Sequence, residues 1–272
     1  MALVPFPSQN RDEDPRGLPP IPESEEEPAE GRMTFLEHLD ELRKRITHSV
    51  SGLLAGFIVS FAFYSQIYEF IYTQLTADIP GGKFIYTEPT EAFFLLMKMC
   101  ALTGVLIASP YIMFQVWLFI APGLYAKEKR FAIPFVLSSS TLFIAGAAFS
   151  HYIVFPAAWA FFASFSNEHM EFMPRVDPVF GLYVRLIIAL GLTFQMPVVL
   201  FVLARLGIVT AKYLIRNFKY AVLIMVIVAA VITPDGNPIT QILVAGPMVV
   251  LYVLGIAAAW IFEKSKKPDI SE

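Results

Sequence analysis

Charge is scarce in this sequence: 16% of its 272 residues are Asp, Glu, Lys or Arg, where a soluble domain carries about 25%. Hydrophobic residues make up 56% of the chain and aromatics 14%, a composition of the membrane class. The single cysteine, Cys100, lies inside an apolar run, which leaves no pair for a disulfide and no thiolate cluster for a metal. The first residues, MALVPFPSQN, lack a basic segment followed by an apolar one, so no cleavable signal peptide is expected. Catalytic patterns are also missing. Glu37-His38 and Glu168-His169 have no second histidine at HExxH spacing, and neither a GxxxxGK[ST] cradle nor a G-x-S-x-G elbow occurs. The chain is therefore read as a non-enzyme without a cofactor, and nucleic acid is not an expected partner.

What the sequence does have is long apolar runs. It predicts an all-α, polytopic membrane protein with six spanning helices at about 44–65, 91–116, 131–155, 179–205, 217–232 and 239–261. Most exceed the ~20 residues that cross a ~30 Å hydrocarbon core. The fifth, FKYAVLIMVIVAAVI, is short for that task, which calls for thinned bilayer or shielding by neighbours. Residues 1–32 form an acidic, Pro-rich tail expected to be disordered, 33–262 the membrane domain, and 263–272 a second short tail.

An even number of spans puts both termini on one side. Arg43, Lys44, Arg45, Lys127, Lys129, Arg130, Arg205, Lys212, Arg216, Lys219, Lys264, Lys266 and Lys267 all fall there, while the opposite loops carry only Lys83 and Arg175. The positive-inside rule then expects cytoplasmic termini. Prolines at 110, 134, 156, 197 and 247 lie within or beside the spans and predict bent helices.

Several motifs admit both a structural and a functional role. In MTFLEHLDELRKR, Thr34 and Glu37 stand at capping-box spacing, and Phe35, Leu36, Leu39, Leu42 and Ile46 form an apolar stripe. A short amphipathic helix at the membrane interface, feeding into span one, is expected. Its Asp40–Lys44 and Glu41–Arg45 are i,i+4 pairs, and spacing alone prefers that structural role. The loop WLFIAPGLYAKEKR at 117–130 reads as an aromatic belt with positive-inside charges. Lys98 and Arg185, toward the outer ends of spans two and four, are expected to snorkel outward. Gln195, deep in span four and two residues before Pro197, either meets a freed carbonyl such as that of Thr193 or hydrogen-bonds a neighbouring helix or a guest segment. Glu91 starts span two, where the helix dipole favours an acid, and Asp235 sits in a Pro-Asp-Gly turn. Gly52 and Gly56 form a GxxxG, a packing signal.

Together these pieces resemble the TatC family, the multi-spanning receptor subunit of the twin-arginine translocase. The matching stretches are EHLDELRKR at 37–45, PTEAF at 89–93, SPYIMFQVWLFIAPGLYAKEKR at 109–130, GLTFQMPVVL at 191–200 and TPDG at 233–236. The resemblance implies a concave six-helix body in a bacterial inner membrane that binds twin-arginine signal peptides of folded export substrates. It implies Glu41, Arg43, Phe119 and Glu128 as signal-peptide positions, the single-span TatB and TatA as partners, and assembly with further copies. Many family members carry an acid where this chain has Gln195, so a proton relay is not expected there. The competing reading, a secondary transporter of a small solute or ion, calls for midplane charges and paired broken helices.

Overall fold

The computed structural model describes residues 35–77, 83–120, 132–166, 172–233 and 237–262. Among them every regular element is helical, and the only pairing of extended chain is an isolated bridge between Ile85 and Arg175. Helix α1 runs unbroken over Phe35–Ala62. The interface helix expected at 33–45 is thus the first three turns of span one, not a separate element. Nothing in the stretch stops a helix: it has no proline, and its hydroxyls bond back to their own helix. Thr47 and Ser49 donate to the carbonyls of Arg43 and Arg45 at 2.9 Å, and Ser60 to that of Gly56 at 2.8 Å. In lipid this satisfies side chains that water cannot reach.

Helix α2, Tyr64–Thr76, follows after Phe63 and extends into the segment between the expected spans at 44–65 and 91–116. Helix α3 spans Glu91–Ile120 with Pro110 inside it. Helix α4, Ala132–Phe149, passes through a π-helical turn, Ser150–Val154, into helix α5, Phe155–Ala163. The third span therefore continues well past its expected end at residue 155. Pro156 is the physical reason for the turn. It has no N–H to offer, and its ring crowds the carbonyl four residues back. Widening the helix relieves this, and the Phe155 N–H donates to Ser150, five residues earlier.

Proline also divides the fourth span. Helix α6, Val176–Thr193, stops at Phe194 and Gln195, and helix α7, Met196–Arg205, begins with Pro197 in its first turn. Helices α8 (Ala211–Arg216), α9 (Phe218–Ile232) and α10 (Pro238–Phe262) complete the chain. Five stretches are long and apolar enough to cross a membrane: Glu37–Ala62, Glu91–Ile120, Ile133–Ala163, Val176–Arg205 and Pro238–Ile261. The apolar α9 has 15 residues, about 22 Å at about 1.5 Å per residue, against a core of about 30 Å.

Helix α1 packs most extensively against α3, and the two run antiparallel. Small residues set that crossing. A Cβ on Gly56 would meet the Gly104 carbonyl oxygen at 2.5 Å, and one on Gly104 would meet the Phe57 nitrogen at 2.8 Å. Lipid is as apolar as leucine, so close van der Waals contact of this kind, not water exclusion, holds membrane helices together. The main core gathers Met99, Phe155, Trp159, Phe180, Tyr183 and Leu190, all buried. His151, in the π turn, is buried with them. Its Nδ1 lies 2.8 Å from the Tyr183 hydroxyl, and its ring stacks on Phe70 with centroids 4.7 Å apart.

The end where α1 begins is called here the terminal end, and the end where α3 and α6 begin the far end. Two ion pairs join α3 to the start of α6 at the far end. Arg175 donates to Glu91 at 2.5 Å, and Lys98 pairs with Asp177. The Thr87 N–H and hydroxyl also donate to Glu91, at 3.2 and 3.3 Å.

Candidate functional site

A polar cluster lies at the terminal end, between the first half of α1 and the last turns of α3. On α1, His38, Glu41, Arg45, His48 and Gly52 recur at three- and four-residue spacing and so share one stripe. On α3, Tyr111, Gln115 and Phe119 do the same at four-residue spacing. The stripes face each other. Tyr111 covers Gly52, and the ring of Phe119 stacks on His38 with centroids 4.5 Å apart. Between these two contacts the antiparallel register carries Glu41 and Arg45 to the level of Gln115 and Phe119.

This orientation inverts that of a helix in water. Leu39, Leu42 and Ile46, the apolar stripe, are exposed at 45%, 36% and 54%, while the Glu41 side chain is only 15% exposed. The apolar face looks outward and the polar face looks in toward α3. Arg45 Nη2 donates to Glu41 Oε1 at 2.8 Å, which is the i,i+4 pair expected from spacing. Asp40 and Lys44 are exposed and make no such pair among the described residues.

The cluster is not saturated. Glu41 Oε2, Arg45 Nε, His48 Nδ1 and Gln115 Oε1 are buried and lack a hydrogen-bond partner among the described residues. A buried polar group without a partner costs about 1–3 kcal/mol, more when charged, so such a concentration is not a resting place for a finished core. Glu41 Oε2 and Gln115 Oε1 are acceptors. The chemistry they lack is an N–H donor, and a guanidinium brings five in a planar fork.

The structure puts Glu41 on the α1 stripe that meets Phe119 through His38, and leaves Arg43 off that stripe. Arg43 is exposed, on the opposite side of α1 from Glu41. Glu128 and Asp235 lie outside the described residues. Gln195 occupies the break between α6 and α7, where its Nε2 donates to the Ser139 carbonyl of α4 at 3.0 Å. This is the bond to a neighbouring helix, one of the roles open to it. Glu91 belongs to the far-end clamp. His38 and Gln115 were not singled out by sequence, although the four-residue spacing of Gln115 between Tyr111 and Phe119 carries the signal. Among the described residues no group of three or more His, Cys, Asp or Glu could hold a metal ion.

Comparison with known proteins agrees with this architecture. The family model described as Sec-independent protein translocase protein (TatC) matches residues 37–247. A Sec-independent protein translocase protein TatC from Koribacter versatilis is 40% identical over 233 residues, covering 84% of this chain and 86% of that protein. A chloroplastic counterpart from Arabidopsis thaliana is 36% identical, over 88% of this chain and 69% of its own length. Among solved structures, a crystal structure of the twin-arginine translocase receptor TatC superposes with a TM-score of 0.70 at 36% identity, covering 82% of this chain and 97% of that one. The all-α fold of apolar, membrane-length helices and the matched residues, which run through both stripes of the terminal cluster, lead to one assignment: this chain belongs to the TatC family of Sec-independent protein translocase proteins.

Proposed function

We propose that this multi-pass membrane protein is the core receptor of a twin-arginine translocase, binding the signal peptides of folded export substrates at its terminal end. The observation that carries this reading is the pair of buried acceptors, Glu41 Oε2 and Gln115 Oε1, left without donors beside Phe119. One arginine of the peptide donates to Glu41, and Phe119 supplies a ring face for its planar cation. Lysine is a point charge and cannot reproduce the fork. Glu128, in the basic stretch of sequence that follows α3, is the second acid of the pair that reads two arginines, and Arg43 serves from the exposed side of α1, where it meets the polar flank of the peptide.

The excess of Lys and Arg on the terminal side supports a reading with both termini in the cytoplasm and the protein in a bacterial inner membrane. The receptor works with the single-span TatB and TatA and with further copies of itself. Asp235 and Glu91 then belong to the periplasmic side. The test is binding of a labelled signal peptide to the full chain in nanodiscs, comparing an Arg-Arg peptide with its Lys-Lys twin. The expected result is a preference for Arg-Arg that collapses in Glu41→Gln and in Glu128→Gln. Equal binding of both peptides by the unmodified protein, with TatB present, overturns the reading.

A further inference from the structure

Arg185 is a charge well inside the fourth apolar stretch, Val176–Arg205. It is exposed on α6 and makes no hydrogen bond or ion pair among the described residues. Four charges near the far end pair with one another, Lys98 with Asp177 and Arg175 with Glu91. An ionisable side chain inside the membrane that faces outward with no protein partner calls for one from its surroundings.

The face that carries Arg185 is well defined. Pro178, Gly181 and Leu192 recur with it at helical spacing and all are exposed, whereas Val179, Phe180, Tyr183, Leu186 and Ile187 on the other side are buried. Gly181 lies one turn nearer the far end, and a Cβ built there would find nothing within 4 Å. The approach from the far end to the guanidinium is therefore open. Helical side chains tilt toward the N-terminus of their helix, and in α6 that is the far end, so Arg185 reaches up into this opening. Depth agrees. Arg205, at the terminal end of α7, is twenty residues further on, about 30 Å of helix and the thickness of the hydrocarbon core. Taking Arg205 as one boundary, the span, broken at Phe194 and Gln195, brings Arg185 near the other, where lipid phosphates begin.

We propose that Arg185 is a binding site for the phosphodiester of a phospholipid in the leaflet opposite the termini, its headgroup seated over Gly181 and its acyl chains lying along Leu192. The guanidinium fork meets two phosphate oxygens at once, which a lysine does not.

The test is native mass spectrometry of the full chain, delipidated in detergent and titrated with phosphatidylglycerol. Monogalactosyldiacylglycerol with the same acyl chains serves as a headgroup without phosphate. The expected result is that Arg185→Gln retains one phospholipid fewer than the unmodified protein, its last site weakened by about tenfold or more, with galactolipid binding unchanged. Arg185→Lys falls between the two. Undiminished phospholipid binding in Arg185→Gln overturns the proposal, and so does equal binding of the two lipids by the unmodified protein. That second comparison needs no variant and decides the matter if Arg185→Gln fails to fold. A carboxylate on a partner helix as the true companion of Arg185 would appear as the first of these negative results.

Discussion

The imidazole of His38 lies over the ring of Phe119, centroids 4.5 Å apart and planes 24° from parallel. The contact joins the first turn of α1 to the last turn of α3 and fixes where Phe119 stands relative to Glu41. A residue beside the site is held by another residue on the same stripe as the acid.

Replacing Phe119 by leucine keeps apolar bulk but removes the ring. Aromatic and cation–π contacts of this kind contribute about 0.5–1.5 kcal/mol, so the Arg-Arg peptide should bind about two- to tenfold more weakly. Equilibrium binding in nanodiscs measures this, and an unchanged affinity would separate the ring from recognition.

Arg45 and an incoming arginine both address Glu41. In Arg45→Gln the carboxylate loses its internal partner, which should lower the melting temperature of the free protein. Bound peptide then replaces the missing cation, so the peptide-induced rise in melting temperature should be larger than in the unmodified chain. Thermal unfolding in detergent with and without peptide reads both. A smaller rise than normal would mean that Arg45 itself helps hold the peptide.

The α1–α3 crossing has no room for a methyl group at Gly56 or Gly104, where the nearest atoms belong to backbone. Gly56→Ala and Gly104→Ala should each destabilise by about 1–3 kcal/mol. Gly246, in α10, has nothing within 4 Å, and its change to alanine should be neutral or stabilising by up to about 1 kcal/mol. Denaturation of the three variants side by side tests the contrast.

The bond from Gln195 to the Ser139 carbonyl is one interhelical contact within the membrane. Such bonds contribute about 0.6 kcal/mol on average and at most about 1.7, so Gln195→Leu should lower stability within that range. Signal-peptide affinity at the terminal end should not change. A lost affinity would place Gln195 on the path of the peptide.

At the far end, Glu91 is 8% exposed and holds Arg175 and Thr87 together, while Lys98 and Asp177 are about half exposed. Glu91→Gln should therefore reduce the melting temperature more than Lys98→Gln does. The latter removes a solvent-facing pair, worth about 0–1 kcal/mol.

The helical, membrane-spanning nature of the chain was legible because apolar runs and the lipid's demand for internal hydrogen bonds leave few alternatives. The break at Gln195 could be anticipated from Pro197, since the rule for proline is local. The fusion of the interface segment with span one was not legible. The amphipathic stripe of Leu39, Leu42 and Ile46 reads identically whether the helix lies in the interface or stands on end, and only packing against α3 decides. Helix α2 lay outside the expected spans for a related reason: Ile71 and Leu75 declare themselves only once α3 and its neighbours are beside them. At the terminal cluster, chemistry made Glu41 visible. His38 and Gln115 enter through their geometry relative to another helix, which no single stretch of sequence contains.

The π turn at Ser150–Val154 has a further consequence. It holds one residue more than an ordinary turn, and each residue of an α-helix advances the screw by about 100°. The turn therefore acts as a phase shifter between the two halves of the third span. Forcing its five residues into a regular α-helix would rotate everything beyond it by about that angle, swinging Phe155 and Trp159 away from Tyr183, whereas deleting one residue would restore a regular helix and keep the phase. The aromatic heart of the protein keeps its place because this turn takes up one residue of slack in the third span, so a one-residue deletion inside the turn would do less harm than the same deletion elsewhere in that helix.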